Sequence, residues 1–265
     1  MKQSIGAAAW IILVAQSWSS SAAIFEYDDR VSISASASNL YAPIGIVRHG
    51  ARRATGFLVS RCHVLTVKHV LQTELKPGKR VKFVAVMASN MPSSRGLVTQ
   101  AGAGHSRLDD WILIKLDNCL GDRLGHVKLS SSSPFVAMPG SATYAPVSSA
   151  GYPVDRNRTS IAMDQSCSVV AQSRGEWLHN CATLPGNSGS PLFREVRTAD
   201  GRALEAFAIV TAGARWRRPV PLNLAYLNTA TPFSAILPAI QNTMAIEAES
   251  EEALSTTSAA FHLAL

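Results

Sequence analysis

The chain has 265 residues, of which 47% are apolar and 16% charged, and its formal net charge is +7. This length is enough for one or two packed domains with a sizeable core. The basic residues are scattered, apart from one local group at Arg215, Arg217 and Arg218 (the 215–218 arginine group), and no zinc-finger, helix-turn-helix or aromatic-basic pattern accompanies them. The composition therefore predicts a solvated basic surface and no nucleic-acid partner.

The first residues have the features of a secretory signal peptide. Met1 and Lys2 form a short positive start, an apolar run extends from Ile5 to Ala15, and Ser21-Ala22-Ala23 offers small residues for cleavage. The apolar run is shorter than the roughly 20 residues that span a bilayer. We therefore predict a signal peptide over residues 1–23, a secreted or periplasmic protein, and no stable membrane anchor.

The next segments differ in composition from one another. Residues 24–40 are polar and are predicted to be a propeptide or an N-terminal segment of the domain. From residue 41 onward, short apolar runs such as Trp111–Leu116 alternate with turn residues, which favours many short strands over alternating β and α units. A helical pattern lies around Phe233–Ile240, and the low-complexity tail 241–265, rich in Ala, Ser and Glu, is predicted to be loosely ordered or appended to the domain.

Four cysteines fit an exported protein, because disulfides persist in oxidising compartments. They allow three pairings, among which the sequence alone does not choose. Cys167 and Cys181 are close in the chain and flank a polar, hairpin-like stretch, so they are the favoured pair and leave Cys62 with Cys119. Because the chain has no Cys-x-x-Cys and its histidines lack ligand spacing, no metal site is predicted. No organic cofactor is expected either.

Three motifs carry the chemistry, in the order His, Asp, Ser. His69 ends an apolar strand over Val64–Val67, Asp110 directly precedes an alternating apolar strand, and Ser188 lies in the glycine-rich segment Gly186–Pro191. A serine is a poor nucleophile near neutral pH and needs a base, which in turn needs an orienting group. His69 can supply the base, and Asp110 can hold its tautomer.

Gly186 completes the predicted site. Glycine adopts backbone conformations that other residues avoid, so the N–H of Gly186 can turn toward the same point as that of Ser188. Two such donors form an oxyanion hole, and the loss of one typically lowers the rate about 10²- to 10³-fold. Singly, each motif could be a strand end or a turn, but the three together in this order predict a nucleophilic serine with the triad His69, Asp110 and Ser188.

These motifs resemble those of the trypsin/chymotrypsin superfamily, and within it the bacterial branch that includes the glutamyl endopeptidases. The similarity covers roughly Asp28–Ile240 and is most specific at Gly186–Pro191. It implies an all-β, chymotrypsin-like double β-barrel with a C-terminal helix, in which residues 41–240 form a trypsin-like peptidase domain with its site between two six-stranded barrels. It also implies a monomeric serine endopeptidase that hydrolyses protein or peptide substrates through an acyl-enzyme.

The resemblance also implies where the side chain of a substrate binds. In the family the primary specificity pocket is formed by the segment before the serine and by a later strand, which here supply Thr183, Thr211 and Gly213. No aspartate lies near Ala182, so a trypsin-like preference for lysine or arginine is not expected. Thr183 matches a threonine of the glutamyl endopeptidases, but Val210 replaces their pocket histidine. The pocket is therefore predicted to accept small or medium apolar side chains.

Two positions depart from the family pattern. Lys68 precedes His69 where a small residue is common, and it adds charge near the site. Asn187 replaces the aspartate that pairs with a newly freed N-terminal ammonium in animal trypsins, which argues against that activation switch. The 215–218 arginine group follows the pocket strand and either favours acidic residues near the scissile bond or forms a solvated loop.

Two other classes of protein share part of this pattern. A catalytically inactive homologue would bind peptides or proteins, but such proteins usually lose a member of the triad. An esterase of the α/β-hydrolase fold needs Gly-x-Ser-x-Gly and the order Ser, Asp, His. Ser190 occupies the last glycine position of that motif, and the order of the motifs is different, so the esterase is excluded.

Overall fold

A computed structural model describes residues 23–33, 39–71, 76–88, 90–135, 145–156, 160–199, 201–212, 220–223 and 226–262. Apart from Ala23, the predicted signal peptide lies outside the described residues. The strands are β1 (Val31–Ile33), β2 (Ile44–His49), β3 (Arg52–Leu58), β4 (His63–Thr66), β5 (Arg80–Val84), β6 (Ser93–Ala101), β7 (Ile112–Leu116), β8 (Lys128–Leu129), β9 (Ala145–Gly151), β10 (Ile161–Ser173), β11 (Glu176–His179), β12 (Pro191–Thr198), β13 (Gly201–Ala212) and β14 (Asn228–Pro232). The helices are α1 (Lys68–Leu71), α2 (Gly121–Leu124) and α3 (Phe233–His262).

Strands β2 to β7 close into an antiparallel barrel in the order β2-β3-β4-β7-β6-β5. Alternate side chains along a strand face the same side, and the inward ones, such as Phe57, Phe83 and Ile114, are fully buried. At Gly45 a Cβ atom would collide with the carbonyl oxygen of Val84 on β5. The glycine therefore allows the close approach of β2 and β5 that closes the barrel.

Strands β9 to β14 form a second ring of antiparallel pairings. The sheet order is β1-β10-β11-β14-β13-β12-β9, and β9 pairs again with the first half of the long strand β10. Strand β8 adds to β13 in parallel, and β1 adds to β10. The two barrels and the terminal helix agree with the double-barrel fold predicted from the motifs.

The N-terminal segment is built into the second barrel. Strand β1 pairs with β10, and Phe25 forms a parallel bridge with Val220. Ala23, Ile24 and Arg30 are buried as well. Residues 23–33 therefore belong to the packed domain in this structure.

Helix α3 joins the two barrels and is longer than the sequence pattern indicates. Phe233 packs near Phe57 of the first barrel, with ring centroids 6.4 Å apart, and Ile240 is fully buried. The helix includes Pro238, where the sequence pattern was interrupted, and continues to His262. The described part of the tail, which was expected to be loosely ordered or appended, is helical as far as His262 in this structure.

Ion pairs explain why the helix continues. The Glu247 carboxylate accepts from His63 Nε2 at 2.9 Å and lies 3.2 Å from Lys115 Nζ, which also lies 2.7 Å from Glu251. His63 in turn bonds to Ser60 through Nδ1 at 2.7 Å. These contacts attach the acidic face of α3 to the outside of the first barrel, which the apolar pattern alone did not indicate.

Both predicted disulfides are confirmed. Cys62 pairs with Cys119, which links the turn between β3 and β4 to the segment after β7. Cys167 pairs with Cys181, which links β10 to the segment that leads into the serine motif. In the described part of the chain, no helix combines the length and the apolarity that crossing a bilayer requires.

Candidate active site

Asp110 connects to His69 through both the ring and the backbone. His69 is the second residue of the short helix α1, which follows β4. Its Nδ1 lies 2.5 Å from Asp110 Oδ2. Asp110 Oδ1 accepts from the backbone N–H groups of Lys68 at 3.1 Å and His69 at 2.9 Å. A carboxylate at Nδ1 favours the tautomer that carries its proton there, which leaves Nε2 as the acceptor.

Lys68, the unusual residue before the histidine, holds the loop that carries Asp110. Its ammonium donates to the carbonyl oxygens of Gly102 at 2.8 Å and Gly104 at 3.1 Å. The N–H of Gly102 also donates to Trp111 O at 3.0 Å. The added charge predicted at this position is therefore used to fix the β6–β7 loop.

The serine turn needs its glycines for conformation and for space. Gly186 has φ +105° and Gly189 has φ +88°, both in the region that favours glycine. A Cβ atom on Gly186 would collide with Tyr152 O, and one on Gly189 would collide with Thr55 O. Ser188 is thus held between two backbone kinks that other residues would strain.

Asn187 stabilises the turn locally. Its side-chain Oδ1 accepts from Leu184 N at 3.0 Å, and its own N–H donates to Leu184 O at 2.9 Å. The N–H of Ser190 donates to Asn187 O at 2.8 Å. The asparagine is 2% exposed, so its role is to shape the turn from within.

Thr55 of β3 brings the serine turn against the first barrel. Its N–H donates to both Gly186 O at 3.2 Å and Ser188 O at 3.0 Å, and its hydroxyl donates to Gly186 O at 2.6 Å. Gly189 packs next to the hydroxyl of Thr66, three residues before His69. The turn therefore lies at the junction of the barrels, beside the end of β4 from which α1 continues.

Ser188 and His69 are both largely buried at this junction. His69 Nε2 is buried and makes no hydrogen bond with the described residues, and Ser188 is 6% exposed. In unliganded enzymes the bond between nucleophile and base is often long and tightens with substrate.

The predicted pocket residues are only partly described. Thr183 and Thr211 are buried, and the hydroxyl of Thr211 donates to Thr229 O at 3.3 Å within the sheet. Thr211 lies where the pairing of β13 with β14 shifts register, and its hydroxyl is bonded within the sheet. Gly213 and the 215–218 arginine group lie outside the described residues.

Several supporting residues were not found from the sequence. Asn228 is fully buried and donates to Ala23 O at 3.1 Å and Cys181 O at 2.8 Å. Asp164 accepts from Ala182 N at 2.7 Å, and burial raises the pKa of its carboxyl. Neither residue lies in a motif, whereas Thr55 precedes Gly56-Phe57 in the strand that the resemblance includes and could have been singled out there.

The fold and the place of the serine turn define a structural class of protein. A closed six-stranded barrel, a second ring of six strands, a C-terminal helix and a glycine-flanked serine at their junction are the parts of a chymotrypsin-like double-barrel protein.

Comparison with known proteins agrees with this class. Residues 54–201 match the family model described as a trypsin-like peptidase domain. The chain belongs to this family of trypsin-like peptidases, and the predicted superfamily is confirmed. No curated protein matches the chain.

Solved structures show the same fold at low sequence identity. A Glu endopeptidase in complex with MPD superposes with a TM-score of 0.58 and 18% identity, over 84% of this chain and 99% of that chain. Neuropsin, a serine protease expressed in the limbic system of mouse brain, superposes with a TM-score of 0.54 and 18% identity, over 78% of this chain and 96% of that chain.

Proposed function

We propose that this protein is a secreted serine endopeptidase that hydrolyses peptide bonds through an acyl-enzyme, with His69, Asp110 and Ser188 as its catalytic triad. The observation that carries the proposal is the Asp110 carboxylate, which binds the ring of His69 at 2.5 Å and its backbone N–H at 2.9 Å. This geometry orients the imidazole with Nε2 as the proton acceptor, as a general base requires.

In the first half of the reaction, Ser188 Oγ attacks the carbonyl carbon of the scissile peptide bond while His69 Nε2 takes the hydroxyl proton. Asp110 stabilises the imidazolium that forms. The N–H groups of Gly186 and Ser188 bind the oxyanion of the tetrahedral intermediate. His69 then gives its proton to the leaving amine, and the acyl-enzyme remains.

In the second half, water replaces the amine. His69 takes a proton from the water as its oxygen attacks the ester carbon of the acyl-enzyme, and the same N–H groups bind the second oxyanion. The proton returns to Ser188 Oγ as the acid product leaves. Because His69 carries each proton, this scheme uses no cofactor.

The substrate preference follows from the segment before the serine. Ala182 and Thr183 carry no negative charge, so a preference for lysine or arginine at the cleaved position is not proposed. Thr211 uses its hydroxyl within the sheet, which leaves an uncharged wall. We propose cleavage after small or medium apolar residues of protein or peptide substrates.

Two observations support export and a retained N-terminal segment. Both disulfides are formed, as in proteins that fold in an oxidising compartment. Ala23 is fully buried, and its carbonyl accepts from Thr183 N at 2.9 Å beside the proposed pocket. We therefore propose that the signal peptide ends at residue 22, one residue earlier than the sequence predicts, and that residues 23–33 remain in the active enzyme and are not removed as a propeptide. The monomeric state stays a prediction.

The test is active-site titration of the folded, disulfide-bonded protein with a fluorophosphonate probe. We expect one label per molecule, and no label in Ser188→Ala or His69→Ala. Asp110→Asn should keep its fold and lower kcat by roughly 10⁴-fold, because the imidazole would then hold the wrong tautomer.

Ser190→Ala is the matched control, because Ser190 lies in the same turn and is fully buried. It should label normally. A folded protein that takes no label would contradict the proposed function and would favour the inactive homologue that binds peptides or proteins. Labelling that persists in Ser188→Ala would assign the nucleophile to another residue.

A further inference from the structure

The guanidinium of Arg30, in the N-terminal segment, is buried between two carboxylates. Its side chain is 1% exposed. Nε lies 2.7 Å and Nη2 2.8 Å from the two oxygens of Asp28, and Nη2 lies 2.7 Å from Asp155 Oδ2. Burial by itself lowers the pKa of Arg30, but the hydrogen bonds to Asp28 and Asp155 outweigh it and raise the pKa above its ordinary value. The planar guanidinium of Arg30 is thus held by the carboxylates to which its N–H groups donate.

Asp155 lies on a short turn, Val154–Arg156, that touches the serine turn directly. The N–H of Val154 donates to Pro185 O at 2.9 Å, one residue before Gly186. Tyr152, at the start of the same stretch, presents its carbonyl oxygen where a Cβ atom of residue 186 would be. Asp155, the partner of Arg30, therefore directly follows Val154, whose N–H binds the carbonyl of Pro185. That carbonyl belongs to the same peptide group as the N–H of Gly186.

Arg156 holds the N-terminal segment to this turn from the other side. Its guanidinium donates to Arg30 O at 3.3 Å and to the hydroxyl of Ser32 at 3.2 Å. The contacts of Arg30 and Arg156 join segments about 125 residues apart in the chain, and β1 continues the attachment by pairing with β10. Residues 28–33 thus form a brace along the Val154–Arg156 turn.

We propose that Arg30 is a positioning residue for the oxyanion hole: its ion pair with Asp155 holds the Val154–Arg156 turn against Pro185 and so keeps the N–H of Gly186 in its oxyanion-binding orientation. The inference rests on the proposed function. Position 187 carries an asparagine, whose Oδ1 accepts from Leu184 N, and therefore offers no carboxylate to pair with a cation. The cation is the guanidinium of Arg30, and it pairs with Asp155 on the neighbouring Val154–Arg156 turn.

The kinetic test uses Arg30→Met, which keeps the length of the side chain and removes its charge, and Arg30→Lys, which keeps the charge and removes the fork. All rates are divided by the number of sites that a fluorophosphonate titrates. A misplaced oxyanion donor weakens only the transition state, so Arg30→Met should lower kcat about 10-fold with KM unchanged, and Arg30→Lys should recover part of the loss. Asp155→Asn should lower kcat similarly, and the double variant should be no worse than either single variant.

Arg61→Met is the matched control, because Arg61 forms an exposed pair with Asp122 at 2.5 Å, outside the contacts of the serine turn. It should keep the kcat of the unchanged protein. A purely structural role for Arg30 gives a different result: fewer titratable sites or a lower melting temperature, with kcat per titrated site unchanged. That result would overturn the proposal.

Amide hydrogen exchange tests the brace without using activity. In the Ser188→Ala background, adding Arg30→Met should speed exchange of the Val154 N–H, which donates to Pro185 O, and of the N–H groups of Gly186–Ser188, and leave the first barrel unchanged. If the protein carries no label but this local effect is present, the proposed function fails and the brace stands. If the protein labels normally and neither kcat nor exchange responds to Arg30→Met, the brace fails and the proposed function stands.

Discussion

Asp110 joins the ring of His69, the start of α1 and the β6–β7 loop into a single unit. One of its oxygens binds the ring of His69 and the other binds the backbone N–H of the same residue, so the carboxylate is fixed relative to the backbone and holds the imidazole in one orientation. Lys68 adds a third attachment, since its ammonium holds the carbonyl oxygens of the loop that ends in Asp110. A residue that departs from the family pattern thus contributes to the placement of the acid.

His179 is fully buried in the second barrel, and it should make the fold sensitive to acid. Burial lowers its pKa to about 3, whereas an unfolded histidine titrates near pH 6.5. Between these values the unfolded chain binds the additional proton. The stabilising contribution is therefore complete above about pH 6.5 and falls by up to about 1.4 kcal/mol per pH unit as the pH decreases toward 3.

His179→Leu should remove this part of the acid dependence, as measured by urea unfolding at pH 7 and pH 4.5. The control is His126→Leu, which removes an exposed histidine and should keep the loss of stability at the lower pH. Equal pH dependence in the unchanged protein and in His179→Leu would show that the buried histidine does not contribute.

At the scale of elements, helix α3 is attached by charge where its apolar face ends. Its first two turns fill the core between the barrels, and Glu247 then meets His63 and Lys115 on the outside of the first barrel. Hydrogen bonds to charged groups contribute about 1.5 to 3 kcal/mol when they are partly shielded from solvent. The second half of the helix therefore depends on a few polar contacts.

Glu247→Gln should lower the free energy of unfolding by about 1 to 2 kcal/mol, because the amide keeps the shape of the side chain but loses its charge. Urea unfolding at pH 7 measures the change. Glu249→Gln, on the exposed side of the same helix, should change stability by less than about 0.5 kcal/mol. If the two variants are equally stable, the ion pairs do not hold the helix.

At the scale of the whole molecule, the two disulfides close loops of different length in different barrels. Their sequence separations are 57 residues for Cys62 and Cys119 and 14 residues for Cys167 and Cys181. The chain-entropy model gives stabilisations of about 4 and about 3 kcal/mol respectively. Only the second disulfide is attached to the segment that leads into the serine turn.

Replacing each pair by alanine should therefore separate stability from activity. The variant that lacks Cys62 and Cys119 should lose more stability in chemical unfolding. The variant that lacks Cys167 and Cys181 should lose more activity per folded molecule at 25 °C, because Ala182 and Thr183 follow directly. The opposite order of activity loss would show that the pocket segment does not depend on its disulfide.

The strands and the motifs that contain His69, Asp110 and Ser188 were recognisable in the sequence because their signals are local. Alternating apolar residues and turn-forming glycines are both visible within a short window. The four cysteines allowed three pairings, and closeness in the chain only favoured the pairing that the structure contains. The end of α3 was predicted too early because its later residues do not form an apolar stripe, and ion pairs hold them instead.

Many short strands, the glycine-flanked serine and the reactive side chains follow from local pattern and side-chain type, and the resemblance of the motifs to a known family implied the double barrel. The distant partners that hold the site emerge only from the folded chain. Arg30 meets Asp155 over a separation of 125 residues, Thr55 meets Gly186 over 131, and Ala23 meets Asn228 over 205. Many polar residues could satisfy each donor or acceptor, and the closure of the two barrels selects the one that arrives within hydrogen-bonding distance.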